Sequence, residues 1–153
     1  MGTNHFEARR AQYSYSPVEA VGVLSLPIFR VMGEKRFRLQ AEFHFDPRVP
    51  QAVRVVFTAE GASAVTWYIS RELLCDGVLE PNGIGDVRVW PMRIGGRYVV
   101  RILLAPHGME ALFEADLHQV GDWLLQTCDL VPLGAELDGR EWDAFLHDVL
   151  DGR

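Results

Sequence analysis

The chain has 153 residues, of which 48% are hydrophobic and 24% charged, and its formal net charge is -6 at pH 7. This length and this proportion of hydrophobic to charged residues predict one folded domain and exclude global disorder. The negative charge disfavours nucleic acid and anionic lipid as partners unless the basic residues gather on one face. The best candidate for a membrane span, residues 98–105, is too short and contains Arg101, and the first residues lack a secretory core, so we expect a cytoplasmic protein with no integral membrane segment.

Residues 1–17 are polar and lack hydrophobic periodicity, which predicts a mobile N-terminal tail before a single domain at 18–153. From Val18 the pattern alternates with period two, most cleanly from Phe37 to Phe45, as expected for a half-buried antiparallel strand. Segments 21–32, 53–58 and 64–70 complete a first group of four strands, with a hairpin turn at Glu60-Gly61.

A short helical turn is predicted over residues 70–75, with Ser70 as its N-cap and Gly77 as its C-cap. A meander of three strands follows at 86–92, 97–105 and 110–115, the first of them ended by Pro91. Helical spacing then begins at Asp116, and residues 138–150 show the apolar face of a final helix. The predicted fold is a single α+β domain of largely antiparallel sheets with packed helices.

The residues that usually carry enzyme chemistry are dispersed along this chain. The five histidines have no paired metal-ligand spacing, and neither cysteine has a second cysteine two or three residues away. Cys75 and Cys128 are flanked by apolar residues, which fits free buried thiols better than a disulfide or a metal site. The glycines at 83 and 85 precede a strand and not a helix, so they predict a turn and not a phosphate loop. We therefore expect no catalytic residue, metal or cofactor.

One cluster could form a binding surface. Alternation places Arg88 and Trp90 on one side of their strand, and Arg97 and Arg101 on one side of the next. A hairpin would gather these four side chains into a face able to stack bases or to bind an acidic peptide. The other interpretation is that Trp90 belongs to the core, covered by a helix, while the arginines pair with nearby acids.

The most specific segment runs from Trp67 to Pro91 and ends in Gly83-Ile-Gly-Asp-Val-Arg-Val-Trp-Pro91. Together with Ser70-Arg-Glu-Leu-Leu74 and Leu103-Leu-Ala-Pro-His-Gly108, it resembles the SsgA-like proteins of actinomycetes, in particular their SsgB-type members. The scaffold positions of this signature are Trp67, Arg71, Gly77, Gly85, Asp86 and Pro91.

The resemblance implies a non-enzymatic regulator of sporulation-specific cell division. Such proteins act as adaptors that, with an SsgA-type partner, help to localise the tubulin-like protein FtsZ and the septum and cell-wall machinery to division sites. It also implies a homotrimer at the septum, and a fold similar to the Whirly proteins, with two units of strands followed by a helix. Because Whirly proteins bind single-stranded nucleic acid, the alternative function is a nucleic-acid-binding module that uses the basic and aromatic face, although fold alone does not carry function.

Overall fold

The computed structural model describes residues 20–134, in which two successive groups of four strands are each followed by a helix. The elements are β1 (Leu24–Met32), β2 (Lys35–His44), β3 (Ala52–Thr58), β4 (Val65–Ser70), α1 (Arg71–Gly77), β5 (Asn82–Ile84), β6 (Val87–Ile94), β7 (Arg97–Leu104), β8 (Ala111–Asp116) and α2 (Leu117–Leu130). A 3₁₀ turn at Pro106–Gly108 joins β7 to β8. The predicted tail at 1–17 and the helix predicted over 138–150 lie outside the described residues.

All eight strands belong to one antiparallel sheet with the order β4-β3-β2-β1-β8-β7-β6-β5. The α+β class and the antiparallel pairing predicted from the sequence are confirmed. The two predicted strand groups do not form separate sheets, because β1 residues Phe29–Val31 pair with β8 residues Leu112–Glu114. The second group also has a fourth strand, β5, where the sequence suggested only a loop.

Pro91 lies inside β6 and does not end it, which corrects the sequence-based boundary. It faces Val100 of β7, and β6 continues to Ile94. The strand β5 pairs only with Val87–Val89, so among the described residues β6 has no neighbouring strand on that side at position 91. A proline, which has no N–H to donate, is tolerated at such an unpaired edge.

The sheet curls strongly. Strands β3 and β8 are three positions apart in the sheet order, which in a flat sheet would separate them by about 14 Å. The rings of Phe57 on β3 and Phe113 on β8 nevertheless stack with centroids 4.4 Å apart. Curling brings the inward-facing residues of distant strands into one core, and both helices contribute apolar side chains to it, among them Leu74 and Trp123.

Both helices begin at the predicted caps. The Ser70 hydroxyl accepts a hydrogen bond from the Leu73 N–H at 3.2 Å, and the Asp116 carboxylate accepts one from the Gln119 N–H at 2.9 Å. Each cap satisfies a backbone donor that has no partner inside its helix. Because each cap is also the last residue of a strand, it fixes where the chain leaves the sheet.

Arg71 connects the two helices and is completely buried. Its Nη1 donates to the Thr127 carbonyl at 2.9 Å and lies 3.3 Å from the Thr127 hydroxyl. The guanidinium also lies over the Phe45 ring, 4.9 Å from its centroid. Thr127 is in the last turn of α2, where the helix dipole favours a cation. The buried charge therefore joins α1, α2 and the end of β2.

Gly77 allows α1 to approach the sheet closely. A Cβ placed there would lie 2.3 Å from Cγ1 of Val89 on β6, well inside van der Waals contact. The chain continues into Val78 with right-handed dihedral angles, so Gly77 is not the left-handed C-cap that the sequence suggested. Its lack of a side chain serves helix–sheet packing.

Two glycine substitutions should change stability in opposite directions. We expect Gly77→Ala to lower the free energy of unfolding by about 1 to 3 kcal/mol, because the new methyl group meets Val89. Gly121→Ala in α2, where a Cβ meets nothing within 4 Å, should raise it by up to about 1 kcal/mol. Urea unfolding of both variants measures the difference, and equal effects would contradict the close approach.

Removing the buried charge at position 71 should also be costly. We expect Arg71→Met to lower the free energy of unfolding by about 2 to 4 kcal/mol, since its hydrogen bonds and the contact with Phe45 are lost. The same substitution at exposed Arg38 on β2 should change stability by less than about 0.5 kcal/mol. Urea unfolding followed by circular dichroism compares the two, and similar losses would argue against Arg71 as the helix tether.

Candidate interaction face

The register of β6 and β7 brings the four predicted side chains onto the same face. Trp90 lies opposite Arg101, Arg88 opposite Leu103, and Arg97 opposite Ile94. Residues paired in this way point to the same side of an antiparallel sheet. The core residues Val89, Val100 and Ile102 occupy the alternate positions, so the four side chains lie on the outer face, away from the core.

The outer face is basic although the chain is acidic. Following the register across the sheet, its outward positions hold six arginines, namely Arg36, Arg38, Arg54, Arg88, Arg97 and Arg101. The same positions hold three carboxylates, namely Glu42, Glu114 and Asp116. The outer face therefore has an excess of three positive charges, whereas the whole chain carries -6.

Glu114 lies at the centre of this face and organises its charges. Its carboxylate, only 2% exposed, accepts hydrogen bonds from Nε and Nη2 of Arg101 at 3.2 and 3.0 Å. Arg36 from β2 binds the other carboxylate oxygen while its guanidinium covers the Phe29 ring, 4.4 Å from the centroid. A cavity of about 150 Å³ opens beside this group. Sequence reasoning missed Glu114 and Arg36, because only the β1–β8 pairing brings these strands together.

Trp90 is neither part of the core nor fully exposed. Its side chain is half-buried on the outer face, directly across from Arg101, and it does not belong to the core of residues 20–134, so the interpretation of Trp90 as a core residue is wrong. Arg88 and Arg97 on either side of it are exposed, whereas Arg101 is 20% exposed and held by Glu114. The two exposed arginines and the indole edge are therefore the groups of this set that a partner could reach.

The signature residues hold structural positions around this face. Gly85, with φ of +59°, forms the two-residue turn between β5 and β6, and the Asp86 carbonyl accepts a hydrogen bond from the Ala105 N–H at 2.8 Å. Trp67 on β4 is half-buried and lines an apolar cavity of about 360 Å³, together with Arg30 and Phe113. The cavity opens on the inner side of the sheet, so it is separate from the outer face.

Within residues 20–134, no group of three or more histidine, cysteine, aspartate or glutamate side chains is arranged to hold a metal ion. In the same part of the chain, neither helix is long and apolar enough to cross a bilayer. The described outer face thus offers cationic and aromatic contacts with one buried carboxylate beneath them, which is the chemistry of a surface that binds anionic groups.

Glu114→Gln tests whether the shared carboxylate holds the outer face together. Two guanidinium groups would then lie close together without a neutralising charge, so we expect the free energy of unfolding to fall by about 2 to 4 kcal/mol. The matched control is Glu110→Gln, an exposed residue just before β8, which should have little effect. A double-mutant cycle with Arg101→Met in urea unfolding measures the coupling, and additive effects would contradict the assigned pairing.

A family model and individual known proteins identify the same family for this chain. Residues 39–136 match the family described as Streptomyces sporulation and cell division protein, SsgA. A curated SsgB of Salinispora tropica, named a sporulation-specific cell division protein, is 41% identical, covering 75% of this chain and 82% of that protein. The SsgB of Streptomyces coelicolor, which has the same name, is 36% identical, covering 78% and 88%.

Two solved structures share the fold. A structure concerning SsgB, whose mutations correlate with longitudinal cell division during sporulation of Streptomyces coelicolor, has a TM-score of 0.69 and 35% identity, covering 74% of this chain and 90% of that one. An SsgA-like sporulation-specific cell division protein from Thermobifida fusca has a TM-score of 0.70 and 29% identity, covering 84% and 94%. The chain is therefore a member of the SsgA family of sporulation and cell division proteins.

Proposed function

We propose that this protein is a non-enzymatic adaptor in sporulation-specific cell division, which helps to localise FtsZ and the septum and cell-wall machinery to division sites. Membership of the SsgA family supports the process, since relatives that cover most of the chain are named sporulation-specific cell division proteins. The adaptor role itself rests on the resemblance set out from the sequence. Its place of action would be the cytoplasmic side of the septum, together with an SsgA-type partner protein.

The single observation that carries a binding role is the outer basic face. Exposed Arg88 and Arg97 flank half-buried Trp90, and Glu114 holds Arg101 and Arg36 in place beneath them. Ordered guanidinium groups lose little side-chain freedom on binding, and arginine and tryptophan are the residues that most often dominate protein interfaces. We assign this face to an acidic segment of the division machinery, with FtsZ as the proposed partner.

The oligomeric state and the likeness to Whirly proteins belong to the same proposal. The order of elements, in which four strands and a helix occur twice, supports this likeness, and we propose that three copies of the chain assemble as the family resemblance suggests. A role in binding single-stranded nucleic acid has weaker support, because the chain carries a net charge of -6 and the relatives are named for cell division.

Direct binding is tested by co-sedimentation with polymerised FtsZ. We expect the wild-type protein to enter the pellet, and the double variant Arg88→Ala, Arg97→Ala to bind at least about fivefold more weakly at low salt. The matched control is Arg93→Ala, also exposed and also on β6, whose side chain points to the opposite face. No sedimentation of the wild-type protein would argue against direct contact with FtsZ, and equal weakening in the double variant and in the Arg93→Ala control would remove the outer face from the proposal.

Fluorescence anisotropy with a single-stranded oligonucleotide at low salt separates the two functions. An acidic adaptor should give a flat titration curve, whereas salt-sensitive binding that Arg88→Ala weakens would favour the nucleic-acid function.

A further inference from the structure

The two cysteines of the chain meet between the helices. Cys75 lies in α1 and Cys128 in α2, and their sulfur atoms are 3.8 Å apart. Both residues are half-buried, and no disulfide bond joins their sulfur atoms. The chain contains no other cysteine, so these two thiols can react only with each other or with another molecule. The sequence, in which they are 53 positions apart, gave no sign of this contact.

The contact is held by the packing that surrounds it. Cys75 follows Arg71 by four residues and so lies on the same side of α1, while Cys128 directly follows Thr127, which accepts the Arg71 hydrogen bonds. The buried guanidinium therefore fixes the positions of the two helix segments that carry the thiols. The Ser70 cap further fixes the start of α1, which follows β4 directly.

The distance between the two sulfur atoms is short enough for a disulfide to form after a small movement, but too long for a bond to be present already. A disulfide has a sulfur–sulfur bond of about 2.05 Å, so the present contact is one between two unbonded thiols. Rotation about the two Cα–Cβ bonds together with a small approach of the helices would close the remaining gap. A zinc site would need about four ligands, and no group of three or more metal-ligating side chains exists among residues 20–134.

We propose that Cys75 and Cys128 are a modification site, at which a peroxide converts the two thiols into a reversible disulfide that links α1 to α2. The thiolate of one cysteine attacks an oxygen of hydrogen peroxide, the O–O bond breaks, and the cysteine becomes a sulfenic acid while hydroxide leaves and takes up the proton that this thiol released on ionising, giving water. The second thiolate then attacks the sulfenic sulfur, the S–S bond forms as the S–O bond breaks, and the departing hydroxide takes up the proton that the second thiol released, giving a second water. Two sulfur atoms are oxidised and one peroxide is reduced, and a dithiol reductant reverses the step by exchange.

The link would constrain the second half of the sheet. Strands β5 to β8 lie between the two cysteines in the chain, so a disulfide closes a loop that contains this entire group. Closing a long loop reduces the freedom of the unfolded chain and stabilises the folded state. Oxidation would therefore stabilise the helix pair and the β6–β7 hairpin that carries Arg88 and Trp90.

The test treats the reduced full-length protein with hydrogen peroxide and then blocks remaining thiols with an alkylating agent. We expect an intact mass lower by about 2 Da with no alkylation, a monomeric chain on a non-reducing gel, and one crosslinked peptide that joins residues 75 and 128. The midpoint of thermal unfolding should rise by about 5 to 15 °C and return after treatment with a dithiol reductant.

The single variants Cys75→Ser and Cys128→Ser are the matched controls. Each should fold, form no intramolecular link, show no rise in the unfolding midpoint, and retain a sulfenic acid that dimedone traps on the remaining cysteine. The proposal is overturned if the wild-type protein is oxidised mainly to sulfinic acid or to disulfide-linked dimers, or if the linked chain unfolds at the same or a lower temperature. None of these readouts involves a division partner, so the result is independent of the proposed adaptor function.

Discussion

The buried guanidinium of Arg71 is the contact on which the arrangement of both helices depends. A fully buried charge is unfavourable unless surrounding groups replace its lost hydration. Here the Thr127 carbonyl and hydroxyl, the electronegative end of α2 and the face of Phe45 supply that replacement. These groups come from the last turn of α2 and from Phe45 directly after β2, so they surround Arg71 only when α1, α2 and the end of β2 have come together. This requirement favours one relative position of the helices over alternatives that apolar packing alone would permit.

Curling divides the sheet into two chemically different faces. The inner face brings Phe57 and Phe113 together and forms the core with the helices. The outer face then carries the charged side chains of both strand groups, and the β1–β8 pairing places Arg36 and Arg101 on opposite sides of Glu114. One buried carboxylate thus orders two arginines from different halves of the chain. The β1–β8 pairing that joins the two strand groups into one sheet therefore also forms the outer face, to which we assign binding.

Local signals in the sequence were sufficient to predict most of the described strands and helices. Period-two alternation located β2 and β3, the turns on either side located β7, and the caps at Ser70 and Asp116 located both described helices. Alternation also predicted that Arg88, Trp90, Arg97 and Arg101 share a face, because the turn at Gly95-Gly96 fixes the hairpin register. The prediction for Pro91 was wrong because the cost of a proline depends on whether a neighbouring strand is present, and the short length of β5 is not visible in the sequence pattern.

Contacts between distant segments could not be predicted in this way. In the sequence, Glu114 is one polar residue of an alternating strand. No residue near it in the chain indicates that two arginines bind it. Gly77 resembles an ordinary C-cap until the position of Val89 is known. The cysteines likewise look independent, since the 3.8 Å contact follows from the helix pairing that Arg71 establishes. In each case the missing information was which strands or helices become neighbours.

The unequal distribution of charge has a consequence for how the molecule meets a partner. The outer face has an excess of three positive charges, whereas the other residues that the structure describes hold more carboxylates than basic groups. The described part of the molecule is therefore electrically asymmetric, and the outer face attracts an acidic partner while the other described surfaces repel it. Approaching molecules are therefore turned toward the correct orientation before they touch, and the rate of association decreases as dissolved ions screen the field over about 8 Å at physiological ionic strength.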